Sequence, residues 1–289
     1  MKKIIERLLV FIIGLPAVFA LIILLPYCHN LALNIVTVFF SAMGAVEFSS
    51  MLEKKKIFIS KIESFILGAA IPLAFTLVIS LELPVWIISV LIMASAGWVL
   101  LSKVFSRTPE IESITGQIIG KFALLAYPGL FICWLVIMSV WENPAATLLF
   151  LFITFGSDST AWLCGNLFGA NNRGIIPVSP NKSVAGFIGG LLGSIIVAVG
   201  AVILFPKIFI YLNFEIPFIK LAILAVILGL CTGIAASLGD LAESAIKRSC
   251  DFKDSGNFML GRGGVLDSID SIAVAAPVYF LLFSIFFRV

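Results

Sequence analysis

The sequence predicts an all-α integral membrane protein: a polytopic bundle of about nine transmembrane helices, with a cytoplasmic N-terminus and the C-terminus outside. The first observation is composition, since 61% of the 289 residues are hydrophobic and only 12% are charged. Soluble domains carry roughly 25% charged residues, so this chain has too few charges to cover a surface that faces water. The other two observations are the lengths of the apolar runs and the distribution of basic residues.

Nine apolar runs each approach the 20 or so residues that a helix needs to cross a bilayer. Several of them begin or end near a proline, where helices commonly stop. The runs are 8–27, 31–52, 61–80, 84–105, 118–140, 145–168, 184–205, 219–239 and 271–288. The first run has no convincing small-residue cleavage site, so we expect an uncleaved helix and not a signal peptide.

Lysine and arginine are distributed unevenly between the two sides that nine helices would define. The side with the N-terminus receives sixteen basic residues, whereas the other receives only Lys207, Lys220 and Arg288. Cytoplasmic segments of membrane proteins carry an excess of Lys and Arg, so the N-terminus is predicted to be cytoplasmic. Loops 170–183 and 240–270 would then lie on the cytoplasmic side of the cell (inner or plasma) membrane.

Two regions are predicted along the chain. Residues 1–140 hold plain apolar helices and are predicted to form a scaffold, whereas residues 141–289 hold the unusual polar residues and are predicted to be catalytic. Five cysteines without a CxxC pair, and a single histidine, argue against a zinc site or a disulfide framework. No nucleic-acid partner is expected.

Ionisable residues inside membrane helices are costly and indicate functional sites. Asp158 lies deep in the sixth run and shares a helical face with Gly165 and Gly169. We expect a binding role for this region, and a buried structural carboxylate is the alternative. Glu47 and Glu63 also lie in apolar runs, but a position near the membrane interface accounts for both.

A polar loop leads from the sixth run into a glycine-rich seventh run. Lys182 precedes the predicted helix, whose free amides and positive dipole end would suit an anion such as phosphate. Gly186, Gly189, Gly190 and Gly193 form GxxxG spacings that let helices pack closely. These glycines are predicted to serve packing, either within the chain or in a homodimer.

The densest polar group follows the eighth run. Asp240, Glu243, Ser244 and Lys247 are spaced i, i+3, i+4 and i+7, and therefore share one helix face. An ordinary helix end at the membrane surface would show only a basic anchor. A solvated, salt-bridged loop is the structural alternative to a functional site.

A second carboxylate pair, Asp267 and Asp270, opens the ninth run at an i, i+3 spacing. Carboxylates without histidine or thiolate suit a hard cation bound through oxygen, Mg²⁺ first. Lys253 and Arg262 add positive charge nearby, which suits phosphate groups beside a metal. This combination predicts phosphoryl or nucleotidyl transfer.

The segment from Ser244 to Asp270 resembles the signature of the CDP-diacylglycerol synthases (phosphatidate cytidylyltransferases). That signature reads Ser-x-aliphatic-Lys-Arg, four residues, Lys-Asp, a Pro-x-His-Gly-Gly-type turn, and Asp-Arg-x-Asp. The matching positions are Ser244, Ile246, Lys247, Arg248, Lys253, Asp254, Gly263, Gly264, Asp267 and Asp270. Residues 157–169 and 179–182 are similar to the family's upstream element, so the resemblance is specific over roughly 150–275.

The resemblance implies a CTP:phosphatidate cytidylyltransferase that works at the cytoplasmic membrane edge. The phosphate of phosphatidate, or of a similar lipid, would attack the α-phosphorus of CTP within the reach of membrane lipid, giving CDP-diacylglycerol and pyrophosphate. Mg²⁺ would be the cofactor, and the family allows a second cation.

The resemblance also assigns roles to residues. The residues expected to be catalytic are Asp240, Lys247, Arg248, Lys253, Asp254, Asp267 and Asp270. Those expected to bind substrate are Ser157, Asp158, Asn166, Lys182, Ser244, Arg262, Gly263 and Gly264. Those expected to bind metal are Asp240, Glu243, Asp267 and Asp270.

Four positions depart from the family pattern. Leu260 replaces the usual Pro and follows Met259, Arg262 replaces the usual His, and Ser268 replaces the Arg of Asp-Arg-x-Asp. The carboxylates are kept, so the cation site is expected to be kept. Either Arg262 supplies the charge lost at Ser268, or the chain is a divergent, impaired paralogue.

Two other functions stay open. A related CTP-dependent transferase for another lipid phosphate, such as an isoprenoid or ether-linked phosphate, would carry the same charges. A cation transporter could use Asp158 and Asp240 along an ion path, but transport predicts acidic residues throughout the membrane's depth. Their clustering at one edge beside basic residues favours the enzyme.

Overall fold

The computed structural model describes residues 14–102, 104, 111–141, 144–209, 217–259 and 263–287, and most of these are helical. The helices are α1 (Leu15–Leu24), α2 (Tyr27–Lys54), α3 (Lys61–Ser80), α4 (Trp86–Leu101), α5 (Ile111–Leu124), α6 (Phe131–Ile137), α7 (Pro144–Phe168), α8 (Val184–Leu204), α9 (Phe218–Ser249) and α10 (Leu266–Phe287). These ranges contain no strand, and their two isolated bridges pair Arg173 with Ser183 and Met259 with Gly263.

Seven helical segments in the described ranges are long and apolar enough to cross a membrane. They are α2, α3, the Ser113–Val140 segment, and α7 to α10. The apolar helix α4 has only 16 residues, and the first predicted run begins outside the described residues. The all-α, multi-pass membrane fold is confirmed, whereas the count of nine spans and the orientation of the termini stay predictions.

Two helices extend beyond the predicted apolar runs. Helix α9 continues from the predicted end at 239 to Ser249, and α10 begins at Leu266 instead of 271. The predicted ends followed hydrophobicity, which reports the thickness of the bilayer. Backbone hydrogen bonding continues after the apolar side chains stop. All four carboxylates predicted to bind metal therefore stand in these helical extensions: Asp240, Glu243, Asp267 and Asp270.

The chain divides into two compact units. The first unit comprises Met1–Val140 and Lys247–Ile269, and the second comprises Trp141–Ile246 and Asp270–Val289. The division into a scaffold (1–140) and a catalytic region (141–289) concerns function, and it stays a prediction.

In the first unit, α2 and α3 approach closely at Gly68. A Cβ atom at Gly68 would lie 2.7 Å from the Ser41 carbonyl oxygen and 3.1 Å from Ala42 Cα. The Ser41 hydroxyl lies 2.6 Å from the Gly68 carbonyl and 2.8 Å from the Pro128 carbonyl, so it can donate to either. Pro128 stands in a π-helical segment, Leu125–Leu130, because a residue without an N–H interrupts regular helical bonding.

In the second unit, α8 packs against both α7 and α9 through small residues. A Cβ atom at Gly193 of α8 would lie only 2.8 Å from Thr160 Cβ of α7. A Cβ atom at Gly229 of α9 would lie 2.7 Å from the Ser194 carbonyl oxygen of α8. The GxxxG glycines thus serve packing within the chain, one of the two predicted uses.

Helix α10 also packs against α7 in the second unit. The hydroxyl of Tyr279, which is fully buried, donates to the Ala146 carbonyl at 2.7 Å. The rings of Trp141 and Phe280 stack with centroids 5.0 Å apart. These contacts fix the helix that carries Asp270.

Candidate functional site

The predicted site residues fall into two groups, one in each unit. The first unit contains Lys247, Arg248, Lys253, Asp254, Gly263, Gly264 and Asp267. The second unit contains Ser157, Asp158, Asn166, Lys182, Asp240, Glu243, Ser244 and Asp270. Arg262, with Leu260 and Gly261, lies outside the described residues.

In the first unit, the Asp267 carboxylate is bonded through both oxygens. Oδ1 forms an ion pair with the ammonium group of Lys247. Oδ2 accepts hydrogen bonds from the amides of Gly264 at 2.7 Å and Ser255 at 2.8 Å, and it lies 3.0 Å from the Ser255 hydroxyl. The carboxylate stands at the start of α10, where the helix dipole stabilises negative charge.

Glu47 of α2 is bonded to the turn that precedes α10, which contains Ser255 and residues 263–266, and sequence reasoning missed this contact. It is 8% exposed, and its Oε1 accepts the Val265 amide while Oε2 accepts the Leu266 amide, each at 2.9 Å. Oε2 also lies 2.9 Å from the Ser255 hydroxyl. Glu47 is therefore bonded inside the protein, whereas its position near the membrane interface stays a prediction. The available signal was a carboxylate inside an apolar run, the criterion already applied to Asp158.

Glycines give this turn its shape. Gly263 has φ +106°, a conformation that side chains disfavour, and its backbone pairs with Met259 through bonds of 2.9 and 3.2 Å. A Cβ atom at Gly264 would lie 2.6 Å from Glu47 Cδ, and one at Gly256 would lie 2.8 Å from it. The matching glycines thus have a structural reason, and their contact with substrate stays a prediction.

The remaining charges of the first-unit group are exposed. Arg248, Lys253 and Asp254 all face outward in the segment around the end of α9. Arg248 donates to the Phe252 carbonyl at 3.3 Å, which helps to close the helix.

Ser268 of α10, which replaces the family's Arg, donates to the Gly264 carbonyl one turn earlier at 3.2 Å. Its hydroxyl therefore serves the helix start, a local role that a guanidinium would not fill.

In the second unit, the structure brings Lys182 and Asp240 together. Lys182 Nζ lies 2.6 Å from Asp240 Oδ2, and both side chains are partly exposed. The Ser244 hydroxyl lies 3.5 Å from Asp240 Oδ1, one helical turn further along α9. A residue predicted to bind nucleotide is thus paired with one predicted to bind metal.

Asp270 stands among other acidic side chains of the second unit. It is 8% exposed and Glu243 is fully buried, and the carboxylates of Asp240, Glu243 and Asp158 lie within electrostatic range of Asp270. Four carboxylates in an apolar helical unit suit a divalent cation. Within the described ranges, no three Asp, Glu, His or Cys side chains converge closely enough to hold a metal ion. The metal site therefore stays a prediction.

The amides at the start of α8 already have acceptors. The Val184 amide donates to the Asn172 carbonyl at 3.1 Å, and the Ala185 amide donates to the Asn172 side chain at 3.4 Å. The Gly186 amide donates to the Ser183 hydroxyl at 3.0 Å. These amides are therefore not free in this arrangement, and phosphate binding at the start of α8 stays a prediction.

The other two substrate-binding predictions on α7 have different surroundings. Ser157 is 2% exposed, and its carbonyl and hydroxyl oxygens would each lie 3.2 Å from a Cβ atom at Gly190. Asn166 is exposed on the last turns of the helix. Ser157 thus lies in a helix contact, whereas Asn166 is accessible to a ligand.

Comparison with known proteins decides the family. The model of a family described as the cytidylyltransferase family matches residues 5–286. The chain belongs to the cytidylyltransferase family. This confirms the resemblance found in the signature residues, and it extends the similarity from the predicted 150–275 to nearly the whole chain.

Individual relatives of the chain match over shorter stretches. The phosphatidate cytidylyltransferase of Bacillus subtilis (strain 168) is 36% identical over 135 residues, 46% of this chain and 45% of the relative. That of Haemophilus influenzae is 37% identical over 137 residues, 46% and 43% of the two chains. The uncharacterized protein YnbB of Escherichia coli (strain K12) is 35% identical over 151 residues, 51% and 46%. The chain thus spans about half the length of the curated relatives it matches.

Proposed function

We propose that this cytidylyltransferase makes CDP-diacylglycerol and pyrophosphate from CTP and phosphatidate, at the cytoplasmic edge of the cell membrane. The observation that carries the proposal is the family match over residues 5–286. Two relatives bear the name phosphatidate cytidylyltransferase, which supports the choice of lipid. The bonded pair Lys247–Asp267, formed by two signature residues, supports the location of the chemistry.

In the proposed reaction, a phosphate oxygen of the lipid attacks the α-phosphorus of CTP. A new bond joins the two phosphates, while the bond from the α-phosphorus to the bridging oxygen breaks and pyrophosphate leaves. The lipid phosphate is already an anionic nucleophile, so no covalent enzyme intermediate is needed. The acyl tails stay in lipid throughout, because moving them into water would be costly.

Lys247 is proposed to bind phosphate oxygens with a fixed geometry. It is only 9% exposed, and its ion pair with Asp267 holds the ammonium group beside the start of α10. A cation already in position stabilises developing charge without reorganisation during the reaction. The exposed Arg248 and Lys253 are proposed to bind lipid or CTP phosphates in the same segment.

Asp158, Asn166 and Lys182 of the second unit are proposed to lie on the nucleotide side. The exposed amide of Asn166 could donate and accept hydrogen bonds with a base or a ribose. Lys182 would leave Asp240 to meet a phosphate group. Lys182 would then bind an anionic phosphate, and Asp240 would be left to bind a cation.

Asp240, Glu243 and Asp270 are proposed to hold Mg²⁺, because they combine oxygen donors with an excess of negative charge. Bound there, the ion would neutralise charge on the phosphates, and a second cation is part of the proposal. Asp267 fits the metal role less well, since Oδ1 is bonded to Lys247 of α9 and Oδ2 accepts amides of the turn. It would have to release its partners to become a ligand.

Another lipid phosphate is favoured as the alternative substrate by one observation. Position 268 carries Ser in place of the family's Arg, and its hydroxyl donates to the Gly264 carbonyl at 3.2 Å, so this helix position offers a substrate no guanidinium. A transferase that acts on an isoprenoid or ether-linked phosphate, or an impaired paralogue, would differ from the family at such a position.

The test measures CTP-dependent release of pyrophosphate, and CDP-diacylglycerol in lipid extracts, with detergent-purified protein, phosphatidate and Mg²⁺. We expect release that requires CTP, lipid and a divalent cation. Asp267→Ala should lower turnover by about 100-fold or more, because Lys247 loses the partner that positions it. The matched control is Asp251→Asn, an exposed carboxylate of the same segment, which should keep wild-type turnover.

Release without lipid would contradict transfer, because it would mean hydrolysis of CTP. No release from folded protein would contradict phosphatidate as the substrate. The lipid panel would then be extended to isoprenoid and ether-linked phosphates.

A further inference from the structure

We infer that Glu47 is a positioning residue for the signature turn, defined here as residues 255–259 and 263–267, and through it for the Lys247–Asp267 pair. That Glu47 holds the turn follows from contacts within the first unit. That the turn positions catalytic groups rests on the proposed transferase function. Glu47 lies on α2, far outside the segment that carries the signature.

The three bonds of Glu47 connect two distant parts of the chain. Its carboxylate accepts the amides of Val265 and Leu266 and lies within bonding distance of the Ser255 hydroxyl, 208 positions away in sequence. An ionised carboxylate can accept hydrogen bonds through both of its oxygens, as Glu47 does here. Hydrogen bonds to a charged acceptor are stronger than those between neutral groups.

The Ser255 hydroxyl links Glu47 to Asp267. It lies 2.9 Å from Glu47 Oε2 and 3.0 Å from Asp267 Oδ2, and it accepts the Asp267 amide at 3.3 Å. A hydroxyl has one hydrogen, so it donates to one of the two carboxylates at a time. Glu47 is thus one side chain removed from the carboxylate that holds Lys247.

The amides that Glu47 accepts belong to the start of α10. The first amides of a helix have no partner within the helix and need an acceptor from elsewhere. Val265 and Leu266 are 0% and 1% exposed, so water does not readily replace the carboxylate. Removing the Glu47 side chain would leave two buried donors without their acceptor, a costly state that a rearranged turn would relieve.

The turn is also shaped around the carboxyl group. Gly256 and Gly264 leave the space that Glu47 fills, since a Cβ atom at either would lie under 3.0 Å from Glu47 Cδ. The carboxyl group is therefore an internal part of the turn. A shift in the turn would move Asp267, and with it the ammonium group of Lys247.

The test compares Glu47→Ala and Glu47→Gln with wild type by two measurements. Hydrogen–deuterium exchange reports whether Glu47 holds the turn, and it needs no substrate. Steady-state transfer per folded enzyme reports whether the turn positions catalysis, with kcat and the KM for CTP determined separately. Folded enzyme is quantified by gel filtration.

Glu47→Ala should raise exchange at Val265 and Leu266 by about tenfold or more, because their acceptor is lost. It should lower kcat by about 10- to 100-fold, as is usual for residues that orient an inner group. The KM for CTP should change little, because the loss is in alignment for reaction. Glu47→Gln keeps one carbonyl acceptor and should fall between Glu47→Ala and wild type in both measurements.

Two controls separate positioning from general effects. Glu53→Gln removes an exposed carboxylate of the same helix and should change neither exchange in the turn nor kcat. Glu63→Gln breaks an ion pair elsewhere in the first unit, and it should lower thermal stability while leaving exchange in the turn and kcat as in wild type.

Unchanged exchange in Glu47→Ala would overturn the inference outright. Raised exchange with an unchanged kcat would overturn the positioning role and leave Glu47 as a structural anchor. If the wild type transfers no cytidylyl group to any lipid tested, the proposed function fails, and the exchange result alone then decides whether Glu47 holds the turn.

Discussion

Lys121 is 1% exposed in the first unit, and its Nζ lies 2.5 Å from Glu63 Oε1. The Ser102 hydroxyl lies 2.7 Å from Lys121 Nζ, and Trp98 Nε1 donates to Glu63 Oε1 at 3.2 Å. The Glu63 carboxylate therefore balances a buried ammonium group, a role that the sequence did not predict. Losing one partner of such a pair is costly, because the other charge keeps neither water nor counter-ion.

We predict that Glu63→Gln lowers the free energy of unfolding by up to about 3 kcal/mol. The loss is limited because the carbonyl of the glutamine side chain can still accept a hydrogen bond from Lys121. Glu63→Gln/Lys121→Met should recover most of this, because a neutral pair of similar volume needs no counter-ion. Thermal unfolding followed by fluorescence-detected gel filtration would measure both variants. A double variant no more stable than Glu63→Gln would contradict the importance of the pair.

Residue patterns within one helix were predictable, and contacts between distant segments were not. The spacing of Asp240 and Ser244 placed them on one face, and the structure puts their side chains 3.5 Å apart. Glu47 meets a turn more than 200 positions later, and helical periodicity carries no information about such a contact. The pair Lys182–Asp240 was missed for the same reason.

At the level of elements, the apolar runs located helices well and their ends poorly. Each run overlaps a described helix, because about 20 apolar residues in lipid have little alternative to helical bonding. The apolar run of α9 ended at 239, but the i, i+3, i+4 and i+7 spacing of its polar residues predicted that the helix continues, and α9 extends to Ser249. The π-helical segment at Pro128 was hidden inside an otherwise uniform apolar run.

The contact between α7 and α8 yields a prediction with a control on the same helix. Gly193→Ala should lower stability by about 1–3 kcal/mol, because its Cβ would overlap the stiff, β-branched side chain of Thr160. Gly200→Ala, with no atom within 4 Å of its Cβ, should be neutral or stabilise by up to about 1 kcal/mol.

Midpoint temperatures of unfolding in one detergent would compare these two alanine variants. Equal effects would show that helix propensity, and not close packing, decides the outcome. A loss confined to Gly193→Ala would confirm that the GxxxG face is occupied inside the chain.

For the whole molecule, the predicted orientation can be tested by labelling single cysteines in a background without the five native ones. Glu53→Cys and Lys253→Cys should react with an impermeant maleimide only after the membrane is opened, since both positions are predicted to be cytoplasmic. Glu82→Cys, in the next loop after α3, should react in intact cells. All three positions are exposed in the structure. Labelling of Lys253→Cys in intact cells would contradict the proposed cytoplasmic site.

The bonds of Glu47 also bear on how far the signature can be treated as a module. A chimera that receives residues 244–270 alone would acquire the amides of Val265 and Leu266 without the carboxylate that accepts them. Co-transfer of α2 would supply it. We therefore expect that exchanges between relatives keep a formed turn only when the early helix and the late loop come from the same parent.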